Sequence, residues 1–196
     1  MKKKILVACL CVALAVLTIA GTTLAYLTSQ DKVTNTFTVG NVAITLDEKD
    51  VDDSTPNAER DKANAYHLMP GGSYVKDPTV HVDPVSEDSW IFVKVENGIS
   101  AFEAATAEDG YKTIADQITA NGWAELTGVT GVYYKSYTKS TAGADLVVFR
   151  NFQISDTANT VDGWNAINTK NITVTAYAIQ KEGFTTAAEA WEKFGN

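Results

Sequence analysis

The feature of the sequence that most limits its fold is a period-two alternation of apolar and polar residues, clearest in the run Trp90–Glu96. Ile91, Val93 and Val95 fall on one face of this run, which predicts a strand with that face in the core. Further alternating runs are bounded by the Gly, Pro, Asn and Asp residues that favour turns. The strand–helix alternation that builds parallel sheets is not visible. The sequence therefore predicts an all-β protein, an antiparallel two-sheet sandwich with short helices.

The other predicted strands are short, and they cover residues 42–47, 73–76, 79–82, 132–138, 146–154 and 172–179. Pro78 and Pro84 flank the run 79–82, which favours an edge strand because proline cannot donate a backbone hydrogen bond. Leu146 to Ile154 reads as one strand that carries Arg150 on its apolar face, so Arg150 must lie at the sheet margin or find a partner. Residues 47–65 are polar and acidic, and we interpret them as a solvated loop.

Two short helices are predicted outside the strands. In residues 113–120, Ile114 and Ile118 stand four positions apart on one side. Near the carboxyl end, Thr186 and Glu189 have the spacing of a capping box, so a helix should begin directly after Thr186. Its predicted packing face consists of Ala190, Trp191 and Phe194, and Gly195 stands where this C-terminal helix should end.

The amino terminus has the pattern of a secretory signal peptide. Three lysines, Lys2 to Lys4, precede the apolar run Ile5–Ala20, and small residues follow. We predict a signal peptide at residues 1–25, cleaved between Ala25 and Tyr26. The alternative is an uncleaved membrane anchor, since residues 5–25 are just long enough to span a bilayer. The remaining chain divides into an amino-terminal segment, residues 26–40, and a sandwich domain, residues 41–196.

Removal of the signal peptide changes the charge and the chemistry of the chain. Loss of three lysines takes the net charge from −8 to −11, so the mature protein has no electrostatic reason to bind nucleic acid. Cys9 and Cys11 leave with the signal peptide. The secreted form therefore has no disulfide, and its stability must come from packing and hydrogen bonds.

No catalytic motif is apparent, and no catalytic residue or cofactor is predicted. The chain has two histidines, and neither stands in a His-Glu-x-x-His or a nucleophile-elbow motif. We interpret them as surface residues near loops. A zinc site would have to use residues from one set: His67, His81, Asp77 and Asp83. Calcium would be attracted to the acidic stretch 47–53, which lacks the glycine and final glutamate of a regular calcium loop.

Three tyrosines lie on one predicted strand: Tyr133, Tyr134 and Tyr137. Aromatic side chains on strands usually pack on the face of a sheet, which is our interpretation here. A groove that binds a ligand is the alternative.

Several segments carry a resemblance to a known family. They are Gly21–Thr28, Val33–Val42, Met69–Ser73, Trp90–Val95, Ile172–Gln180 and Ala187–Trp191. In these segments the chain resembles the TasA/camelysin family, which are secreted proteins of Gram-positive bacteria processed by a SipW-type signal peptidase. The resemblance implies a jelly-roll-like sandwich that builds extracellular biofilm matrix fibres. It also implies a possible enzyme activity, because camelysin is described as a cell-surface metalloprotease; no metal-binding motif is present here to carry that activity over.

The residues just after the predicted cleavage site agree with a role in fibres. The predicted assembly strand contains Tyr26, Leu27, Thr28, Val33, Phe37 and Val39. A neighbouring subunit with an open sheet edge can accept such a segment. Residues 26–35 alone span about 33 Å when extended, and a head-to-tail contact of this kind propagates as a filament. The alternatives are pairing within the same domain and fraying.

Three functions are therefore compatible with the sequence. The first is a secreted structural protein that polymerises by strand donation, with other copies of itself, the SipW-type peptidase and other matrix proteins as partners. The second is a camelysin-like metalloprotease at the cell surface. The third is a monomeric binding module that uses the tyrosine-rich face or the acidic loop.

Overall fold

The computed structural model describes residues 40–53, 58–104 and 113–195. The predicted signal peptide, the Ala25–Tyr26 cleavage site and the assembly residues from Tyr26 to Val39 lie outside the described residues. The proposed boundaries after residues 25 and 40 therefore stay predictions.

The described residues form ten strands, all paired antiparallel. They are β1 (Ile44–Lys49), β2 (Arg60–Asp61), β3 (Ser73–Val75), β4 (Thr79–Val82), β5 (Ser89–Asn97), β6 (Ala124–Glu125), β7 (Val132–Tyr137), β8 (Ala144–Val147), β9 (Asn151–Gln153) and β10 (Ile172–Gln180). The first sheet has the order β2-β1-β4-β8, the second β10-β5-β7-β6, and β3 pairs with β9. None of these sheets closes into a barrel within the described ranges. The prediction of antiparallel sheets in a mostly β protein is confirmed.

Short helices connect the strands, as predicted. The α-helices are α1 (Ile114–Ala120) and α2 (Ala187–Trp191), and 3₁₀ turns cover Ser100–Phe102, Ala158–Thr160, Trp164–Thr169 and Glu192–Phe194. Thr113 caps α1 through its side chain. Thr186 and Glu189 form both bonds of the predicted capping box at the start of α2. Gly195 adopts the left-handed conformation directly after the last turn, which a glycine tolerates without strain.

The main core contains side chains from both four-stranded sheets. Val80 and Val82 contribute from β4, and Ile91 and Val93 contribute from β5; all four are buried. The predicted inward face of β5 is therefore confirmed. Ile114 and Ile118 of α1 belong to the same cluster.

A second apolar cluster covers the other face of the second sheet. Phe92 is fully buried there, and its ring lies 5.2 Å from the Trp191 ring and 5.9 Å from the Phe194 ring of the carboxyl-terminal segment. Tyr177 of β10 packs against both of these rings. Strand β5 is thus buried on two faces, whereas the sequence pattern predicted only one.

The prediction that residues 79–82 form an edge strand is wrong. Strand β4 lies inside the first sheet, with β1 on one side and β8 on the other. Pro78 and Pro84 stand just outside the strand, so they end the hydrogen-bond ladders without interrupting them.

The prediction of one strand from Leu146 to Ile154 is also wrong. Strand β8 pairs with β4, whereas β9 pairs with β3 in a different sheet. Val148 and Phe149 are consecutive and both buried, which breaks the period-two pattern where the chain passes between sheets. Arg150 lies exposed at this break, so its charge does not enter the core.

The interpretation of residues 47–65 as a solvated loop is wrong at both ends. Strand β1 continues to Lys49, where it pairs with β2. Glu48 is only 4% exposed. The amide of Asn64 bonds back to the carbonyl oxygen of Lys49 and to the N–H of Val51. Cross-strand bonds that join residues more than ten apart are invisible to local composition.

Candidate functional site

The described chain begins beside the end of β10. The carbonyl oxygen of Asn41 accepts a hydrogen bond from the N–H of Glu87 at 2.9 Å. A methyl group placed on Gly40 would lie 3.6 Å from Gln180 Oε1. Gly40, the last residue of the predicted assembly strand, therefore lies close to Gln180, the last residue of β10.

Two strands near this point have an unpaired side within the described ranges. Residues Ile44–Asp47 of β1 pair with β4 on one side, while β2 reaches only Glu48 and Lys49 on the other. Strand β10 pairs with β5 alone. Strands β1 and β10 approach each other without a shared ladder. We call these two unpaired strand sides, Ile44–Asp47 and Ile172–Gln180, the open seam.

The core is incompletely covered along the open seam. Ile44 and Leu46 of β1 and Val174 and Ala176 of β10 pack against the main core but are only partly buried. Ile91, one strand further in, is completely buried. A strand from another segment would form hydrogen bonds with the unpaired backbone groups of the seam. It would also cover the half-buried apolar side chains beside them.

The outer face of the first sheet carries a row of charged side chains on three neighbouring strands. Thr45, His81 and Asp145 are in register. His81 Nδ1 lies 2.6 Å from Asp145 Oδ1, and His81 Nε2 lies 3.0 Å from Asp47 Oδ1. Arg60 of β2 extends the row, because its guanidinium contacts Asp47 and lies 3.1 Å from Asp77 Oδ2. This polar row joins all four strands of the sheet.

The charges in the polar row shift the pKa values of its members. Burial alone would lower the pKa of His81, but hydrogen bonds and attraction from Asp47 and Asp145 outweigh burial, so the pKa is raised. Burial alone would raise the pKa of Asp47, but Arg60 and His81 outweigh it, so the pKa is lowered. The imidazolium form of His81 is therefore the form that best fits between the two carboxylates.

The four candidate metal ligands do not share a site. Three of them have different partners. His81 contacts Asp47 and Asp145. Asp77 contacts Arg60 and accepts from the N–H of Lys49, and Asp83 accepts from the N–H of Val85. His67 lies exposed in a loop, and His81 lies partly exposed on the short strand β4. Across residues 40–53, 58–104 and 113–195, no three His, Cys, Asp or Glu side chains are placed to hold a metal ion. The donor set that a catalytic metal needs is not assembled there.

A groove of about 540 Å³ lies beside the polar row. Its walls come from the ends of three strands of the first sheet, at residues 43–45, 81–84 and 142–145. His81 and Asp145 line it, and the Asp145 side chain is 74% exposed. A binding module would use this groove. The groove lies on the first sheet, whereas the three tyrosines lie on β7 of the second sheet.

The tyrosines pack on the second sheet, which confirms the packing interpretation. Tyr133 and Tyr137 are buried in the main core. Tyr134 is on the opposite face, where its ring lies 5.8 Å from the Trp90 ring in an edge-on contact. The three side chains therefore do not form one ligand-binding face.

Sequence reasoning missed the partners that give His81 its environment. The sequence places Asp47 at the junction between the predicted strand 42–47 and the predicted loop 47–65, and it does not single out Arg60 or Asp145. One local signal was present: Thr45 and Asp47 continue the period-two pattern of the first strand, which places Asp47 on its polar face. Arg60 reaches Asp47 because β2 pairs antiparallel with β1. The spacing of the two residues in the sequence does not indicate this pairing.

Fold and site together define a mostly β protein with antiparallel sheets, short helices and, within the described residues, two strand sides that have no partner strand. Residues 1–62 match the family model described as camelysin metallo-endopeptidase. This match confirms the resemblance to the TasA/camelysin family over that part of the chain, which includes β1 and β2. No curated protein and no solved structure gives a match. In the part of the chain that the structure describes, no helix has the length and apolar character needed to cross a membrane.

Proposed function

We propose that this chain is a secreted structural subunit that polymerises into extracellular biofilm matrix fibres. After cleavage between Ala25 and Tyr26 by a SipW-type signal peptidase, the assembly strand, residues 26–40, enters the open seam of the next subunit. The sheets then complete a jelly-roll-like sandwich across the subunit boundary. Other matrix proteins are possible co-assembling partners.

The open seam is the observation that carries this proposal. Its unpaired strand sides would gain main-chain hydrogen bonds from an added strand, and its half-covered side chains, such as Leu46 and Val174, would be buried by apolar donor residues. The family match covers residues 1–62, which include both the predicted assembly strand and β1. Because donor and seam are different surfaces, the contact is head-to-tail and extends into a filament.

Charge substitutions in the assembly strand test the proposal. Phe37 and Val39 alternate with Thr36 and Thr38, so only one of these pairs can face the core of the acceptor. In mature protein, Phe37→Asp and Val39→Asp should abolish fibres in negative-stain electron microscopy and leave folded monomers. The matched controls Thr36→Asp and Thr38→Asp should still form fibres.

The deletion of residues 26–35 provides a second arm of this experiment. The shortened protein should remain folded and monomeric, and a peptide with the sequence of residues 26–40 should bind it. Fibres that form equally well from the deletion variant or from Phe37→Asp would contradict strand donation. Fibres built from uncleaved precursor would contradict the need for a free amino terminus.

A second candidate function rests on the description of the matching family as a metallo-endopeptidase. Under this alternative, protease activity on a casein substrate would survive the deletion of residues 26–35. It would be lost on chelation and in His67→Ala or His81→Ala. The separate surroundings of His67 and His81 in the described structure do not favour it.

A further inference from the structure

A buried ion pair lies beneath the first sheet, close to the connection between β2 and β3. The ammonium group of Lys76, which directly follows β3, contacts Glu48 Oε2 of β1. The side chains of Lys76 and Glu48 are 10% and 6% exposed. Removing both charges from water costs free energy. A buried ion pair is therefore weak evidence that its role is only to stabilise the fold.

The amide of Asn64 is the third member of this cluster. Its Nδ2 donates to Glu48 Oε1 at 2.9 Å and to the Lys49 carbonyl oxygen at 2.9 Å. Its Oδ1 accepts from the N–H of Val51 at 2.7 Å. One carboxylate therefore holds an amine on one oxygen and a carboxamide on the other, while a backbone N–H draws electron density from the amide carbonyl.

Aromatic rings enclose the cluster on one side. The Tyr66 ring lies 5.9 Å from Lys76 Nζ. It makes edge contacts with the Phe152 ring at 5.4 Å and with the Tyr74 ring at 6.0 Å. Burial, with the nearby carboxylates, raises the pKa of Tyr66, which indicates a poorly hydrated environment. The Lys76–Glu48 contact in this cluster is buried, and a hydrogen bond is electrostatically stronger in such a place than in water.

We propose that Lys76 and Asn64 react within the folded chain to form an intramolecular isopeptide bond, with Glu48 as the group that carries the proton. The reacting groups are the amine Nζ, which contacts Glu48 Oε2, and the carbon Cγ of the amide that donates to Glu48 Oε1. This assignment is independent of the proposed fibre function.

The reaction is an amide exchange that needs no other reactant. Glu48 takes one proton from the Lys76 ammonium that it contacts. The neutral amine adds to Cγ of Asn64, and the Val51 N–H stabilises the negative charge that develops on Oδ1. Glu48 returns its proton to Nδ2, the bond from Cγ to Nδ2 breaks, and ammonia leaves. Glu48 then takes the second proton from Nζ, which leaves a neutral amide N–H and a protonated Glu48. The new bond joins Lys76 Nζ to Asn64 Cγ, and no oxidant or reductant is consumed.

The bond would give this chain a covalent constraint that its cysteines cannot supply, since both are at positions 9 and 11. It would close the segment from Asn64 to Lys76, which connects the first sheet to β3. A crosslink of this kind restricts the unfolded chain as a disulfide does, and it is insensitive to reducing agents.

Tryptic peptide mapping of the purified mature protein tests the proposal. Without the bond, trypsin cleaves after Lys62, Lys76 and Lys94, which yields separate peptides 63–76 and 77–94. With the bond, Lys76 is blocked, so we expect one peptide, 63–94, lighter than its sequence mass by one molecule of ammonia. Tandem mass spectrometry should place the crosslink between Asn64 and Lys76, in monomers and fibres alike.

Three variants make the test specific. Glu48→Gln keeps a hydrogen-bonding side chain but cannot carry the proton, and Lys76→Arg removes the nucleophile, so both should show the full mass. Glu87→Gln is the matched control, because Glu87 pairs with Lys139 in an exposed ion pair, and it should retain the ammonia loss. Efficient cleavage after Lys76 with full mass in the wild-type protein would overturn the proposal. Ammonia loss with Lys76 still cleavable would indicate a succinimide at Asn64 and would overturn it as well.

Discussion

The two four-stranded sheets share a core but differ on their other faces. The second sheet is apolar on both sides, since Ile91 faces the main core and Phe92 faces α2 and the segment after it. The first sheet faces the core with Val80 and Val82, while His81 between them belongs to the polar row. Alternating residues therefore point to two buried faces in the second sheet, and to one buried and one exposed face in the first sheet.

The difference indicates a division of labour within the domain. The second sheet, covered on both faces, has the packing expected of the stable frame of the fold. The first sheet contains the unpaired side of β1, the polar row, the groove and the Glu48–Lys76–Asn64 cluster. All candidate sites for chemistry or assembly in the described residues therefore involve the first sheet, and the open seam also includes the edge strand β10.

The largest expected effect comes from breaking the covered face of the second sheet. Phe92→Ala removes a fully buried ring and should lower the free energy of unfolding by about 3–5 kcal/mol. Thr45→Ala, on the exposed face of the first sheet, should change it by about 0.5 kcal/mol or less. Chemical denaturation of monomeric protein measures both values. Similar losses for the two variants would contradict the assignment of the second sheet as the stable frame.

A smaller effect is expected from loosening the helix that covers this face. Thr186→Ala removes the side chain that accepts from the N–H of Glu189 and should cost about 1 kcal/mol of unfolding free energy. Thr185→Ala is the matched control, because only its backbone N–H bonds to Glu189. Equal stability of the two variants, again by chemical denaturation, would argue against the capping box as the anchor of α2.

The smallest expected effect concerns the polar row of the first sheet. The pKa of His81 is raised in the folded state, so its stabilising contribution is fully present below the unfolded value of 6.5 and is lost as pH rises through the folded value. The side chain is partly exposed, so the contribution should be about 1 kcal/mol or less. The pKa of Asp47 is lowered, so its contribution is lost only as pH falls through its folded value.

Denaturation curves between pH 5 and pH 9 check this prediction. His81→Gln should flatten the loss of stability that the wild-type protein shows as pH rises. His67→Gln, which changes the exposed loop histidine, should leave the pH dependence intact. A flattened profile in His67→Gln instead would show that the polar row is not its source.

The sequence predicted those parts of the fold that depend on local patterns. The alternation in β5 and β10 and the capping residues of α2 are local signals, and the structure confirms them. The burial of Phe92 could not be predicted, because it depends on where α2 docks. The break between β8 and β9 was missed because the apolar pattern continues with the same parity on both sides of it.

The candidate site was less predictable because its contacts join distant parts of the chain. His81 was identified from its residue type, but its partner Asp47 is 34 residues away, a separation that no local pattern connects. Asn64 and Lys76 contact the same carboxylate only because β1 places Glu48 beside both of them. Sequence reasoning found the assembly strand, and the open seam that would accept it emerges only from the pairing of β1 and β10.

Hydrogen exchange tests the central claim most directly, because it reports on the backbone of the open seam itself. Exchange of the amides in Ile44–Asp47 and in β10 should be compared between wild-type fibres and the monomeric Phe37→Asp variant. We predict that amides on the unpaired sides of both strands exchange rapidly in the monomer and become protected in the fibre. Equal exchange in the two samples, or full protection already in the monomer, would contradict completion of the seam by a neighbouring subunit.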